Sequence, residues 1–175
     1  MTTTIAGLLE RNKAINHTPL PSIAERKGHG GAPPRTVIVT CCDPRCVPEE
    51  FFNLKAGEVV VHRNAGGNIR HALRDILILD ALVKLDEIAI VHHTDCGTLR
   101  FTDEQLRTAL KKQTKETHWA KIETMEFGAA SGIEENLKGD LEWVHGNPLL
   151  REALKEGTQG FIFDLKSGKV EKVVI

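Results

Sequence analysis

The sequence predicts an α/β fold of three layers, in which helices flank a mostly parallel central β-sheet. Short apolar runs rich in β-branched residues occupy 36–40, 58–62 and 87–92, and turn residues bound each run, as in the buried strands of a parallel sheet. Between the second and third runs, 68–85 carries apolar residues at helical spacing along one face. Strands that alternate with helices in this way are typical of a parallel sheet covered by helices.

The N-terminal region, 1–34, is predicted to be a helix followed by an arm. Apolar residues recur at helical spacing within 1–17, whereas four prolines and a glycine cluster in 19–34 indicate a loop. Such a tethered helix packs either on a neighbouring subunit or on its own domain, and the residues leave both arrangements open. The α/β core is predicted to span 35–175, so that 1–175 form a single domain.

The rest of the core is predicted from its start and stop signals. Pro48 marks the first turn of one helix, and the pattern Thr102-x-x-Gln105 is a capping box at the start of another. The segment 116–131 is less regular. The predicted elements are helices over 47–52, 102–115, 133–145 and 147–157, followed by a closing hairpin over 160–175.

The composition excludes several classes of function. Hydrophobic residues at 41% and charged residues at 27% are ordinary for a globular protein. The net charge of −1 gives no electrostatic basis for binding nucleic acid or an anionic membrane. No apolar run approaches the roughly 20 residues that span a bilayer, and the N-terminus lacks the pattern of a signal peptide. We therefore expect a cytoplasmic protein without nucleic-acid or membrane partners.

Cys41, His93 and Cys96 are the candidate metal ligands. Cys41 and His93 stand at the carboxyl ends of two predicted strands, which is the edge where open α/β sheets bind ligands. Two thiolates and one imidazole are a donor set that zinc prefers, and three protein ligands leave a fourth position for water. Disulfides are the alternative for four cysteines. However, adjacent cysteines pair only with strain, and a chain of this size does not need disulfides for stability.

Three neighbouring residues are predicted to lie outside the metal centre. Strand alternation places Cys42 on the opposite face from Cys41, in the core. Cys46 is predicted to be a partly buried small residue. His92 is expected to point away from the metal.

Three motifs in this order resemble those of the β-class carbonic anhydrases. They are Cys-x-Asp-x-Arg at 41–45, Gly57-Glu58 followed by Arg63-Asn64, and His-x-x-Cys-Gly at 93–97. The resemblance extends from about Thr36 to Leu99, and the chain is similar to the short, minimal members of the family. It implies one zinc ion per chain and the reversible hydration of carbon dioxide to bicarbonate and a proton by zinc-bound hydroxide. It also implies that the N-terminal helix packs on a neighbouring subunit, in a homodimer or a higher homo-oligomer.

Asp43 and Arg45 are the candidate catalytic residues beside the ligands. Arg45 is expected to grip the Asp43 carboxylate in a bidentate pair, so that Asp43 accepts a hydrogen bond from the zinc-bound hydroxide. A released Asp43 would instead take the fourth zinc position, and the resemblance implies that both states occur in the family. Gly97 is expected to present its backbone N–H to the substrate, because a residue without Cβ permits close approach. The expected apolar wall consists of Phe51, Val59, Val61 and Leu99.

Three other functions compete with this interpretation. One is hydrolysis of carbonyl sulfide or carbon disulfide on the same zinc scaffold, which stays open because the chain has no tyrosine and lacks the glutamine that many members carry upstream of the first cysteine. Another is a non-catalytic sensor of zinc or bicarbonate. The third is a thiol redox protein, which would leave His93 without a role.

Overall fold

The structure is a computed structural model that describes residues 3–16, 19–28 and 32–174, with 26–28 described by their backbone. The chain divides into two compact units, Met1–Ala32 and Pro33–Ile175. Parts of three predictions lie outside the described residues: both ends of the N-terminal helix, the glycine cluster of the arm and the last residue of the hairpin.

The described residues of the first unit form two helices, α1 (Ile5–Lys13) and α2 (Ile23–Gly28). The Thr4 hydroxyl caps α1 by accepting from the Gly7 N–H at 3.1 Å. Helix α2 corrects the prediction of a loop over 19–34. It forms because Ser22 and Glu25 make a reciprocal capping box, with Ser22 N–H donating to Glu25 at 2.6 Å and Glu25 N–H donating to Ser22 at 3.2 Å.

The second unit is built on a five-stranded sheet in the order β2-β1-β3-β4-β5. The first four of these strands are mutually parallel, and β5 pairs antiparallel with β4. This mostly parallel sheet confirms the predicted fold class. The strands are β1 (Thr36–Cys41), β2 (Val60–Asn64), β3 (Glu87–His93), β4 (Thr158–Asp164) and β5 (Lys169–Val173).

Six helices connect the strands of the second unit. They are α3 (Pro48–Phe51), α4 (Ile69–Val83), α5 (Asp103–Gln113), α6 (Trp119–Glu123), α7 (Ile133–Gly146) and α8 (Glu152–Glu156). The predicted capping box of α5 is present, with Gln105 N–H donating to the Thr102 hydroxyl at 3.2 Å. The helix predicted from Asn147 begins only at Glu152, because Asn147 closes a turn by accepting from Leu149 N–H at 2.9 Å.

Two apolar clusters cover the two faces of the sheet. The first joins Val37 and Ile90 to residues of α4 and α7, such as Ile76 and Leu137. The second joins Ile38 and Val91 to Cys41, Cys96 and Phe163, with Phe51, Val59 and Leu99 packed against it. Because side chains alternate along each strand, neighbouring strand residues belong to different clusters. No helix in the described part of the chain is both long enough and apolar enough to cross a lipid bilayer.

An ion pair lies at the amino end of the sheet, where β3 and β4 begin. Arg151 donates to both carboxylate oxygens of Asp80, at 2.8 and 2.6 Å, and to the Leu85 carbonyl at 2.7 Å. Asp80 also accepts from the Leu85 N–H at 3.0 Å. These bonds connect the end of α4 to the residue before α8.

Candidate metal centre

The three predicted ligands meet at the carboxyl end of the sheet. Cys41 and His93 are the last residues of β1 and β3, which pair in parallel, and Cys96 follows three residues after His93. All three are buried, and their ligand atoms lie within 4.8 Å of one another. The two sulfur atoms are 3.9 Å apart. The sequence therefore predicted this grouping of donors correctly.

The geometry of the three donors fits a zinc ion. Two thiolates that each bind zinc at about 2.3 Å in a tetrahedron lie about 3.8 Å apart, close to the observed sulfur separation. The Nδ1 atom of His93 lies 2.9 Å from the Thr94 carbonyl oxygen, which fixes the ring proton on that nitrogen. The other nitrogen, Nε2, is buried and has no hydrogen-bond partner among the described residues. A buried lone pair of this kind is what a metal ligand requires.

Electrostatics within the centre also call for a cation. The pKa of Cys96 is lowered because its sulfur shares a hydrogen bond with Cys41, and His93 and Thr98 add to this effect. The pKa of Cys41 is raised by the same shared proton and by burial. The protein alone therefore stabilises one thiolate but not two. Cys41 and Cys96 would both hold a divalent ion as thiolates, because its charge would stabilise the second negative sulfur.

A glycine shapes the backbone behind Cys41. Gly67 has a φ of 67°, and a Cβ at this position would lie 3.0 Å from the Thr40 carbonyl carbon and 3.1 Å from the Cys41 nitrogen. Only glycine combines that φ with so close an approach. The turn at 65–67 can thus lie directly against the strand end that carries Cys41.

The Asp43–Arg45 pair has the bidentate geometry predicted from the sequence. Arg45 Nε donates to one carboxylate oxygen at 3.0 Å and Nη2 donates to the other at 2.7 Å. The Arg45 backbone N–H adds a third bond at 2.9 Å. These donors hold the pKa of Asp43 well below its usual range. Asp43 is therefore an anion that accepts hydrogen bonds at every physiological pH.

Three further residues join this network, and the sequence analysis gave them no role. Asp95 accepts from Arg45 Nη1 at 3.0 Å and from Arg100 Nη2 at 2.6 Å. Arg63 donates to the carbonyl oxygens of Cys41 and Asp43, at 3.2 and 2.7 Å. The available signals were the place of Asp95 between two candidate ligands and the Arg63-Asn64 motif.

Gly97 lies beside the centre, at the start of the 3₁₀ turn Gly97–Arg100. The residue is exposed. A Cβ at this position would meet no described atom within 4 Å. Packing within one chain therefore does not require a glycine here, and the predicted contact between its N–H and a substrate stays a prediction.

The structure also shows where Cys42, Cys46 and His92 lie relative to their predicted positions. Cys42 is exposed, so its predicted place in the core is wrong. Alternation sets the direction of a side chain, but Cys42 follows the end of β1, in a loop. Cys46 is fully buried, with its sulfur 3.1 Å from the Thr40 hydroxyl. His92 points away from the centre as predicted, with Nε2 3.2 Å from the Asp140 carboxylate of α7.

The fold and the donors together define a class of protein. The class is an open α/β protein with two cysteines and one histidine as candidate metal ligands at the carboxyl end of a parallel sheet. An aspartate–arginine pair lies beside these ligands.

Comparisons with known proteins identify the family. The family model described as carbonic anhydrase matches residues 36–170. Beta-carbonic anhydrase 1 of Mycobacterium tuberculosis is 31% identical over 137 residues, which cover 78% of this chain and 80% of that protein. A solved carbonic anhydrase from Glaciozyma antarctica has a TM-score of 0.78 at 28% identity, covering 98% of this chain and 96% of the other. The chain belongs to the β-carbonic anhydrase family, a family of enzymes, which confirms the resemblance.

A second activity is represented among the relatives. The carbon disulfide hydrolase of Acidianus sp. is 26% identical over 160 residues, which cover 79% of this chain and 76% of that protein. The chain is thus similar to proteins named for two different activities.

Proposed function

We propose that this chain catalyses the reversible hydration of carbon dioxide to bicarbonate and a proton, with one zinc ion held by Cys41, His93 and Cys96. The observation that carries the proposal is the grouping of three buried donors within 4.8 Å of one another, beside a bidentate Asp43–Arg45 pair. Membership of the β-carbonic anhydrase family supports the same reaction. Zinc in such a site supplies Lewis acidity, which makes a nucleophile of water near neutral pH.

Residues around the ligands set the ionisation and orientation of the donors. The Thr94 carbonyl keeps the proton of His93 on Nδ1 and leaves Nε2 free to bind the ion. The Thr98 hydroxyl lies 3.1 Å from the Cys96 sulfur and stabilises its negative charge. The shared task of these two contacts is to present deprotonated donors in a fixed geometry.

Asp43 acts on the attacking water, and Arg45 acts on Asp43. Because Asp43 stays ionised, its carboxylate accepts a hydrogen bond from that water and turns an oxygen lone pair toward the carbon of the substrate. Arg45 fixes the direction of the carboxylate through its two parallel N–H donors. If the hydrogen bonds from Arg45 break, the Asp43 side chain is free to turn toward Cys41 and His93 and block the centre. The pair therefore both orients the reaction and controls access to it.

Gly97 and an apolar wall complete the proposed substrate site. The backbone N–H of Gly97 is assigned to the developing negative charge of bicarbonate. Phe51, Val59 and Leu99 pack against the cluster that contains Cys41 and Cys96. These side chains provide the dry surroundings that an apolar molecule such as carbon dioxide favours. Val61, the fourth predicted wall residue, lines a groove with Leu54 and Val59.

Two measurements on one preparation test the proposal. Zinc is counted by mass spectrometry, and carbon dioxide hydration is followed by stopped flow with a pH indicator. One zinc per chain together with a rate well above that of buffer is the expected result. A protein that binds no zinc after incubation with the metal, or that binds it and does not accelerate hydration, contradicts the proposal.

Hydrolysis of carbon disulfide or carbonyl sulfide is the second candidate function. It is favoured by the relative from Acidianus sp., which is named carbon disulfide hydrolase. The same zinc-loaded preparation is offered carbon disulfide and carbonyl sulfide, and sulfide release is measured. We expect a kcat/KM for carbon dioxide that exceeds both others. Faster turnover of either sulfur compound would make that compound the substrate.

Homodimer formation is proposed from the first unit. Helix α1 has no buried residue, and its apolar side chains Ile5, Leu8 and Leu9 are 79, 52 and 58% exposed. An apolar helix face of this kind is expected to be covered by a second copy of the chain. Deleting residues 1–25 should lower both the dimer fraction, measured by sedimentation, and the hydration rate. A fully active monomer after the deletion would refute this assembly.

A further inference from the structure

Asp95 lies between the candidate ligands His93 and Cys96, yet the proposed reaction gives it no task. Its side chain is exposed, and its carboxylate is shared between two guanidinium groups. One oxygen accepts from Arg45 Nη1 at 3.0 Å and the other accepts from Arg100 Nη2 at 2.6 Å. The Asp95 carbonyl also accepts from Arg45 Nη2 at 3.2 Å. Arg45 is thus bound to the loop that carries His93 and Cys96.

The two aspartates use different N–H groups of Arg45. Asp43 takes Nε and one hydrogen of Nη2, whereas Asp95 takes Nη1 and the second hydrogen of Nη2. Because a guanidinium offers five donors in a fixed plane, both acids are satisfied at the same time. Asp95 therefore does not compete with Asp43 for Arg45. It provides a second anchor on the opposite side of the guanidinium.

The backbone at Asp95 adds an independent observation. Its φ of 53° lies in the left-handed region, which glycine adopts freely and which aspartate and asparagine tolerate better than most other residues. Glycine would therefore suit the turn better than aspartate. The aspartate contributes a carboxylate that glycine lacks, and the structure shows this carboxylate on Arg45.

We propose that Asp95 is a positioning residue that holds Arg45 in place and so keeps Asp43 turned away from the Cys41–His93–Cys96 centre. The inference rests on the proposed function of the Asp43–Arg45 pair. Without the second anchor, Arg45 is held only by Asp43, two residues away, and can follow it when it moves. Arg100 binds the other oxygen of the Asp95 carboxylate, so the bonds between Arg45 and Asp95 do not pass through it.

Two substitutions separate the carboxylate from the shape of the turn. Asp95→Asn keeps the size of the side chain and tolerates the left-handed backbone, but it removes the charge. Asp95→Gly removes the side chain and relieves the backbone. A positioning role predicts that both variants lose function, whereas a role in loop shape alone predicts that the glycine variant behaves as wild type. Arg100→Gln is the matched control, because it removes an arginine from the network and leaves the Arg45–Asp95 bonds intact.

The first readout is independent of activity. Hydrogen exchange of the Arg45 Nη1–H group, which donates to Asp95 at 3.0 Å, is measured by ¹⁵N NMR in the zinc-loaded protein, with Arg45→Lys used to assign the signal. Exchange should be at least about fivefold faster in both Asp95 variants, because a charge-assisted hydrogen bond restrains this group. In Arg100→Gln it should change by less than about twofold. Unchanged exchange in both Asp95 variants would overturn the proposal.

The second readout is the pH profile of carbon dioxide hydration from pH 6 to 9. Both Asp95 variants should retain one zinc per chain but lose activity by about 10-fold at pH 7, as is usual when a residue behind a metal centre is removed. The loss should shrink toward pH 9, since hydroxide then competes better with a released Asp43. A wild-type profile in Asp95→Gly would overturn the positioning role. A wild-type protein without hydration activity would refute the proposed function instead, and the exchange rates would still decide whether Asp95 anchors Arg45.

Discussion

Each end of the parallel sheet carries a bidentate aspartate–arginine pair, and the two pairs differ in what they connect. Asp43–Arg45 lies at the carboxyl end and Asp80–Arg151 at the amino end, with similar exposure: 15 and 12% for the aspartates, 51 and 45% for the arginines. The first pair spans two residues of one loop, whereas the second spans 71 residues. A short-range pair restrains little chain and is free to open, but a long-range pair holds distant segments together. We propose that the same chemistry serves a reaction at the carboxyl end and folding at the amino end.

The largest expected effect tests whether the chemistry belongs to the carboxyl end. Cys96→Ala removes one of three ligands, so zinc content should fall from one per chain to near zero. Hydration should fall by more than about 100-fold, beyond what the loss of a supporting residue causes. Metal content by mass spectrometry and stopped-flow rates measure both effects. Full zinc retention in Cys96→Ala would count against this ligand set.

Replacing each arginine in turn with alanine compares the two pairs directly. Arg45→Ala should lower kcat/KM by about 100-fold with zinc still bound, while the melting temperature should fall by less than in Arg151→Ala, because Asp43 and Arg45 are only two positions apart. Arg151→Ala should give the reverse. Its loss leaves the mostly buried Asp80 carboxylate with the Leu85 N–H alone as a donor and removes the Arg151 donor from the Leu85 carbonyl, so the melting temperature should fall by roughly 5 °C. Its activity below that temperature should stay within about twofold of wild type.

Stopped-flow assays and thermal unfolding distinguish the two results. The proposed difference between the two pairs would be wrong if Arg45→Ala hydrated carbon dioxide at the wild-type rate. It would also be wrong if Arg151→Ala unfolded like wild type.

Acid provides a second test of the amino-end pair. Arg151 lowers the pKa of Asp80 in the folded protein, whereas the unfolded chain titrates near the ordinary value of about 3.9. The stabilisation from this pair is therefore fully present above that value and is lost as pH falls through the lower, folded pKa. The melting temperatures of wild type and Arg151→Ala should differ by a constant amount from pH 5 to 7 and converge below about pH 4. A difference that persists undiminished to pH 3 would assign the effect to lost packing.

The smallest effect is expected at Cys42, which is adjacent to a ligand but exposed. Cys42→Ser should keep one zinc per chain, activity within about twofold and an unchanged melting temperature, since exposed substitutions away from buried contacts are nearly neutral. Zinc analysis, stopped flow and thermal unfolding provide the check. Loss of zinc in this variant would mean that Cys42 exchanges with Cys41 as a ligand.

The sequence predicted the carboxyl end far better than the amino end, for a reason of chain distance. Asp43 and Arg45 are two positions apart, so their pairing follows from local spacing. Cys41 and His93 were placed together because parallel strands bring their carboxyl ends to one edge. Nothing in the sequence pairs Asp80 with Arg151, which come together only after α4, β3 and α8 have packed.

The remaining errors have local causes. Cys42 was assigned to the core because alternation predicts direction but not the presence of a covering layer. Helix α2 was missed because prolines outweighed the Ser22-x-x-Glu25 capping box. Asp95 was passed over because its partners, Arg45 and Arg100, approach from separate loops.

The order of the strands has a consequence for how the protein matures. Cys41 and His93 are 52 positions apart in the chain (93 minus 41), and they meet only when β1 and β3 are paired in register. Parallel pairing over such a separation is a slow, non-local step of folding. The three donors of the proposed zinc site are therefore not assembled until that step is complete, and an ion bound to them would oppose its reversal by mass action. The rate of metal binding during refolding should accordingly report the time at which the two strands pair.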